Sequence, residues 1–204
     1  VNAAYAMTTG LYNVALGANA LYANTTASYN SAFGYLALSA NTTGANNVAV
    51  GGLSLDANTT GDQNVAVGTS ALGALTAGDK NVAIGNSTLS QFNVTDGSET
   101  FNTAVGYAAG GAVTTGIQNT LIGGLAGDAL TDADKNVAVG RSALTSDTLG
   151  SMSTAIGYSA LDSQNFTSAT NSRNTAVGHT AGLSSTTAVD NTLIGEQAGY
   201  YITT

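Results

Sequence analysis

The chain contains no cysteine, no proline and no tryptophan, and only four lysines and arginines among 204 residues. Each absence excludes something. Without thiols there is neither a disulfide framework nor a thiolate metal site. Four basic residues against twelve acidic ones, a formal net charge of −8, cannot build the positive surface that phosphate backbones require, which argues against nucleic acid and anionic membranes as partners. No apolar run approaches the roughly 20 residues needed to cross a bilayer, so no membrane insertion is expected of this segment. Charged residues make up 8% of the chain, far below the roughly 25% of an ordinary globular domain. Disorder is also a poor reading, because 43% hydrophobic residues with so little charge is the reverse of the disordered signature.

What is there is glycine, asparagine, threonine, serine and alanine, ordered by an internal repeat. Asn-x-[Ala/Leu]-[Val/Ile/Leu/Phe]-Gly recurs with its asparagine at Asn13, Asn30, Asn47, Asn64, Asn81, Asn102, Asn119, Asn136, Asn174 and Asn191, and Ser153 takes the place once. The matching glycines, Gly17, Gly34, Gly51, Gly68, Gly85, Gly106, Gly123, Gly140, Gly157, Gly178 and Gly195, are present in all eleven copies. The spacing is 17 residues except for 21-residue units beginning at Asn81 and Ser153, so three short units and one long one form a block of 72. Block duplication is visible in the wording: Asn102-Thr-Ala-Val-Gly and Asn119-Thr-Leu-Ile-Gly reappear from Asn174 and Asn191. The four extra residues fall near 93–100 and 165–172, where a coil can bulge outward.

With the asparagine counted as position 0, positions 1 to 3 form a short β-branched run bounded by Asn and Gly, which predicts a strand. No helix is expected. Positions 7 and 8, small-then-Leu or small-then-Gly as in Ala71-Leu72 and Ala109-Gly110, suggest a second short strand. Seventeen residues cannot bury a core alone, so the coils must stack as a parallel β-solenoid. The glycine suits a corner with positive φ or close backbone approach, and the asparagine column suits a ladder of stacked amides. A threonine column lies at position 12: Thr8, Thr25, Thr42, Thr59, Thr76, Thr114, Thr131, Thr148, Thr186 and Thr203. The expectation is one all-β repeat domain over 1–204, with a partial coil 1–12 and coils starting at 13, 30, 47, 64, 81, 102, 119, 136, 153, 174 and 191. Val1 falls at position 5 and Thr204 at position 13, with no capping unit, which reads as an excerpt of a longer fibrous protein. The strands are apolar on both faces, so a second cover beyond the coil interior is expected, and a homo-oligomer is the first candidate.

Catalytic chemistry finds little support. The one histidine, His179, sits at position 5, where sister coils carry Tyr107, Tyr158, Arg141 and Glu196, a variable and exposed column. Gly-x-Ser-Ala-Leu at Gly140 and Gly157 lacks the second glycine and the strand-to-helix context of a nucleophile elbow. Asp132-Ala-Asp134-Lys135 and Gly78-Asp79-Lys80 read as solvated loops with a local ion pair rather than as a metal site, since their spacing fits no calcium motif. No enzyme activity, metal or cofactor is therefore expected. Tyr35, Tyr107 and Tyr158, all at position 5, form an interrupted outward column with two readings, a carbohydrate-binding surface and a chain–chain contact. The sequons at Asn24, Asn41 and Asn58 read as turn residues. The threonine column leaves ice binding as an alternative, weakened because the second threonine, at position 13, should point away from the first.

Asn64-Val-Ala-Val-Gly-Thr-Ser-Ala, Asn81-Val-Ala-Ile-Gly-Asn-Ser and Asn136-Val-Ala-Val-Gly-Arg-Ser-Ala resemble the head repeats of trimeric autotransporter adhesins of the YadA type, and the likeness extends over essentially the whole chain. It implies a left-handed parallel β-roll, three chains side by side, and attachment outside a bacterium. Similar Asn-Thr-Ala-[Val/Ile]-Gly-Tyr arrays occur in phage tail-fibre-like proteins. The 17-residue unit is longer than the usual head repeat and richer in Asn-Thr-Thr. The functional expectation is a non-enzymatic extracellular, cell-surface or virion-borne rod for adhesion or receptor binding, with a host-surface glycan or protein as receptor. A purely structural filament subunit and an ice-binding solenoid are the alternatives.

Overall fold

The computed structural model describes residues 2–204; Val1 lies outside the described residues. The chain divides into two compact units, Val1–Asn102 and Thr103–Thr204. The first holds β1 (Val14–Leu16), β2 (Ser31–Phe33), β3 (Val48–Val50), β4 (Val65–Val67) and β5 (Val82–Ile84). The second holds β6 (Thr103–Val105), β7 (Thr120–Ile122), β8 (Val137–Val139), β9 (Gly150–Ser151), β10 (Thr154–Ile156), β11 (Thr170–Asn171), β12 (Thr175–Val177) and β13 (Thr192–Ile194). Apart from β9 and β11, every strand occupies positions 1 to 3 of its coil. Strands pair in parallel with the next coil, Val48 against Val65 and Val65 against Val82, and the long coil sets Thr154 against Thr175. Each unit is thus a parallel β-solenoid with one main strand per coil, and the described residues contain no helix.

Side chains at position 2 point inward and are fully buried, as at Ala49, Ala66, Leu121 and Ala138. They meet the leucines of position 8, Leu21, Leu38, Leu55, Leu72 and Leu89 in the first unit and Leu144 and Leu161 in the second, also fully buried. Position 8 does not lie in a strand, contrary to the expectation of a second one. Positions 5 to 10 are turns whose residues at 6 and 8 are left-handed: Leu53 and Leu55 have φ of 59° and 49°, and Ser70 and Leu72 of 56° and 50°. A third left-handed residue precedes the asparagine, as at Gln63 (59°) and Lys80 (62°). A left-handed non-glycine residue costs about 1–2 kcal/mol. Burying a leucine returns about 1.5–3 kcal/mol, and Leu55 also donates its N–H to Ala71 one coil on, at 3.1 Å. The tight curvature that closes a 17-residue coil is therefore held by burial and inter-coil bonds, not by local preference.

The glycines at position 4 have positive φ, and those with a following coil stacked on them, such as Gly17, Gly34, Gly51, Gly68, Gly123, Gly140, Gly157 and Gly178, also lack room for a side chain, whereas Gly195 in the last coil has that room. Their φ runs from +125° at Gly195 to +143° at Gly34, and a Cβ on Gly68 would lie 2.3 Å from the carbonyl oxygen of Gly85.

Asparagine at position 0 works by amide-to-backbone bonding rather than as a continuous amide stack. Asn47 Oδ1 accepts the N–H of Asn64, the first residue of the next coil, at 2.9 Å while its Nδ2 donates to Gly61 O, near the end of its own coil, at 2.8 Å. Side-chain-to-side-chain amide bonds join some of these asparagines too, Asn81 Nδ2 donating to Asn64 Oδ1 at 3.0 Å and Asn191 Nδ2 to Asn174 Oδ1 at 3.3 Å, and they recur from coil to coil at position 11. Asn41 Nδ2 donates to Asn24 Oδ1 at 2.9 Å and Asn58 Nδ2 to Asn41 Oδ1 at 3.0 Å. The sequon asparagines Asn24, Asn41 and Asn58 are thus fully buried ladder members, not turn residues. The run stops at Leu75, which has no amide to offer, and Asn58 Oδ1 is left without a partner. Threonine hydroxyls at position 12 are also committed: Thr42 Oγ1 donates to Thr59 O and Thr59 Oγ1 to Thr76 O, both at 3.0 Å.

Both 21-residue coils bulge where the extra residues were expected. Gly97, with φ of +71°, faces open space, and in the second block β11 runs beside β9. Position 11 also changes character between the blocks. Leu75 and Phe92 are fully buried in the first unit, whereas Asp147 and Gln164, 72 residues further on, are fully buried in the second. Asp147 accepts from Gln164 Nε2 at 2.6 Å, Gly150 N at 3.1 Å and Phe166 N at 3.0 Å.

Candidate functional site

The left-handed residue at position 6 and the glycine at position 4 turn the chain sharply on either side of position 5, which puts position 5 outside. In the first unit this column reads Ala18, Tyr35, Gly52, Thr69 and Asn86, and in the second Tyr107, Gly124, Arg141, Tyr158, His179 and Glu196. The three candidate tyrosines all lie in it, exposed by 57% (Tyr35), 64% (Tyr107) and 46% (Tyr158).

Their surroundings differ. Tyr158 is held on both sides: Arg141 Nη1 donates to its Oη at 3.3 Å, the Arg141 guanidinium carbon lies 5.8 Å from its ring centre, and the His179 ring stacks on it at 5.4 Å and 12°. His179 Nδ1 is in turn 3.9 Å from Glu196 Oε1. Four successive coils thus make a polar chain along the surface, with both faces of the Tyr158 ring taken. Tyr35 and Tyr107 have no ring partner among the described residues. The other six tyrosines do: Tyr5 stacks on Tyr22 at 5.2 Å, Tyr12 on Tyr29 at 5.0 Å, and Tyr200 meets Tyr201 edge-on at 4.8 Å. The sequence reading missed these stacks, although a 17-residue separation of two tyrosines in each of the first two pairs announces them.

The acidic loops are occupied by the fold. Asp79 Oδ1 accepts the N–H of Asp62 at 2.7 Å and Asp134 Oδ1 that of Ile117 at 2.8 Å, each bond reaching one coil back. Asp132 accepts from Thr115 Oγ1 at 2.6 Å. The ion pair beside Asp79 joins Lys80 to Glu99, with the Lys80 ammonium 5.3 Å from the Phe101 ring centre. Burial is the main cause that pushes the Asp79 carboxyl above the usual carboxylate value; the Asp62 N–H opposes it, and the Asp62 charge adds to it. Among the described residues no group of three or more His, Asp or Glu side chains could hold a metal ion, no cleft or cavity opens, and no helix is long and apolar enough to cross a membrane.

The strand face is the other extended exposed surface. Position 3 carries Leu16, Phe33, Val50 and Ile84 in the first unit and Ile122, Ile156 and Ile194 in the second, all exposed. Val or Thr accompanies them at position 1 in most coils, with Ser31 once.

Comparison with protein-family models, curated proteins and solved structures gave no match to this chain.

Proposed function

We propose that this chain is a non-enzymatic, extracellular or virion-borne fibrous segment that serves as spacer and attachment surface, built as a side-by-side homo-oligomer, with a trimer favoured. The observation that carries the reading is the apolar strand face. Within each unit the coils bury position 2 and leave apolar side chains at position 3 in water, exposed at Leu16, Phe33, Val50, Ile84, Ile122, Ile156 and Ile194 and half-buried at Val67, Val105, Val139 and Val177. Large exposed apolar patches on soluble proteins mark interaction sites, and strands apolar on both faces are ordinarily covered on both. Identical chains present identical rows, so symmetric association covers them without a second gene product. Stacked coils then supply stiffness, and repeated surface columns supply avidity.

The reading also rests on the repeat's likeness to adhesin heads and tail-fibre arrays, and the receptor it proposes is a glycan or a protein of a host surface. Molar mass in solution tests it. A trimer, with Val50→Asp and Ile122→Asp shifting the mass to that of one chain, is the expected result, and a wild-type monomer overturns it. Against ice binding, the position-12 hydroxyls are donated to backbone carbonyls, leaving in the first unit the single exposed rank Thr9, Thr26, Thr43 and Thr60. Thermal hysteresis on the same sample separates the two, and none is expected.

A further inference from the structure

Tyr35 and Tyr107 stand in equivalent places, 72 residues apart, and each is followed one coil on by glycine, Gly52 and Gly124, within the shared run Gly-Gly-Leu (Gly51-Gly52-Leu53 and Gly123-Gly124-Leu125). These second glycines are not demanded by the fold. Neither has a positive φ, and a Cβ would approach nothing nearer than Tyr35 O at 3.8 Å for Gly52 and Tyr107 O at 4.0 Å for Gly124. Their coil-to-coil bonds are ordinary: Leu53 N–H reaches Tyr35 O and Leu125 N–H reaches Tyr107 O, both at 2.9 Å. Side chains are therefore missing beside the two tyrosines whose rings have no ring partner, and beside Tyr158, whose ring does, the column carries Arg141 and His179.

From this arrangement we infer that Tyr35 with Gly52 and Tyr107 with Gly124 form two copies of one shallow subsite for a neutral pyranose ring of a surface glycan. An exposed aromatic face attracts the positively polarised C–H groups on one side of a sugar ring. The step left by glycine one coil away, where the coil repeat is about 4.8 Å, gives a flat ring room to lie down. The net charge of −8 favours a neutral ligand over a phosphorylated or sulfated one. One ring on an open surface binds weakly, in the millimolar range, so useful attachment comes from multiplicity: two copies per chain, multiplied by the number of chains, raise apparent affinity by about 10²–10⁴-fold when several engage together. The inference rests on the attachment reading above and narrows it to two of the three candidate tyrosines.

The test uses the whole chain in two assays. In the first, tyrosine ring NMR signals are followed while methyl glucopyranoside, galactopyranoside and mannopyranoside are each added to tens of millimolar. Tyr35 and Tyr107 should shift with at least one of the three, while Tyr158 and Tyr12 stay still. In the second, retention on host-derived glycan surfaces is measured for wild type, for Tyr35→Ala/Tyr107→Ala, for Gly52→Leu/Gly124→Leu, and for Tyr158→Ala. Both double variants should lose at least tenfold in retention with unchanged circular dichroism, and Tyr158→Ala should not. Ring signals that do not move, or double variants retained like wild type, overturn the subsite while leaving attachment through another surface standing. Wild type retained on no host surface overturns the attachment reading and the subsite together.

Discussion

Leu121 fills, from position 2 of its coil, the space that Gly127 leaves at position 8: a Cβ built on Gly127 would lie 2.8 Å from Leu121 Cδ2. The same exchange occurs 72 residues later, where a Cβ on Gly199 would lie 2.7 Å from Leu193 Cδ2. Most coils use Ala at position 2 and Leu at position 8, whereas these two use Leu and Gly. In these two coils the bulk missing at position 8 is supplied from position 2, as close-packed interiors require; the coils at Asn102 and Asn174 carry Ala and Gly, and Leu193 also reaches the space beside Gly182, where a Cβ would lie 3.0 Å from its Cδ1. Gly127→Leu alone should overpack and cost about 1–3 kcal/mol, and Leu121→Ala alone should leave a cavity and cost about 2–5 kcal/mol. The double variant, which restores the common coil, should cost less than either. Denaturant unfolding of the three variants measures the coupling, and additive losses would refute the compensation.

Two glycines one residue apart in the repeat should respond oppositely to alanine. Gly68→Ala places a side chain at a φ of +134°, 2.3 Å from Gly85 O, in a region open essentially to glycine alone. It should lose about 3 kcal/mol or more from strain and clash together. Gly52→Ala meets nothing nearer than 3.8 Å and should be neutral, or stabilising by about 0.4–1 kcal/mol, through the lower entropy of the unfolded chain. Thermal melts of the pair are sufficient. Equal losses would mean that Gly52 is a fold requirement and would remove one support of the tyrosine subsite.

The aspartates Asp56, Asp79 and Asp162 all have carboxyl pKa values raised above 3.8, with burial as the leading cause. A carboxyl with a raised folded-state pKa binds protons more readily in the native state than in the unfolded chain. Its contribution to stability therefore rises as pH falls through the folded value and is complete below the unfolded one. Asp96 and Asp190, lowered by their hydrogen bonds to Ser98 and Arg173, act in the opposite sense. Asp79→Asn isolates one group, because an amide oxygen still accepts the Asp62 N–H. The variant should melt above wild type at about pH 7, and the gap should close as pH falls below the ordinary aspartate value near 3.8. A gap that is negative at neutral pH, or that does not change with pH, would refute this.

The period, the strand at positions 1 to 3 and the glycine corner are legible in the sequence because each repeats one residue type at one place. The left-handed turns at positions 6 and 8 are not. Leu53, Leu55, Ser70 and Leu72 are ordinary residues that do not announce positive φ, and only stacking against the next coil selects it. Asn58 was legible as a polar turn residue and is buried instead, since its neighbours Asn41 and Gly61 satisfy its amide nitrogen only once the coils are stacked. The candidate column at position 5 was found from spacing. What separates Tyr35 and Tyr107 from Tyr158 is the identity of the side chain one coil away, which the 17-residue register contains but a residue-by-residue reading overlooks.

The exchange of Leu75 and Phe92 for Asp147 and Gln164 makes the two blocks natural controls for each other. Asp147 is fully buried and accepts from two backbone N–H groups and the Gln164 amide. Asp147→Leu removes every one of these acceptors at once, and buried donors without partners cost about 1–3 kcal/mol each. The single variant should therefore lose about 3 kcal/mol or more. The first block shows a different solution for the same backbone: leucine at 75, phenylalanine at 92, and valine at 94 where the second block has Phe166. Asp147→Leu/Gln164→Phe/Phe166→Val imports those three residues, removing the Gln164 donor together with its Asp147 acceptor and exchanging phenylalanine volume between two positions; it also removes the Gln164 bonds to Ser153 Oγ (2.8 Å) and from Asn174 Nδ2 (2.9 Å), which keeps the Ala188 carbonyl at 2.6 Å. It should recover more than half of the single variant's loss in denaturant unfolding. If the triple variant is as unstable as Asp147→Leu, the buried carboxylate is required by the second block's own backbone, and the two blocks are not interchangeable.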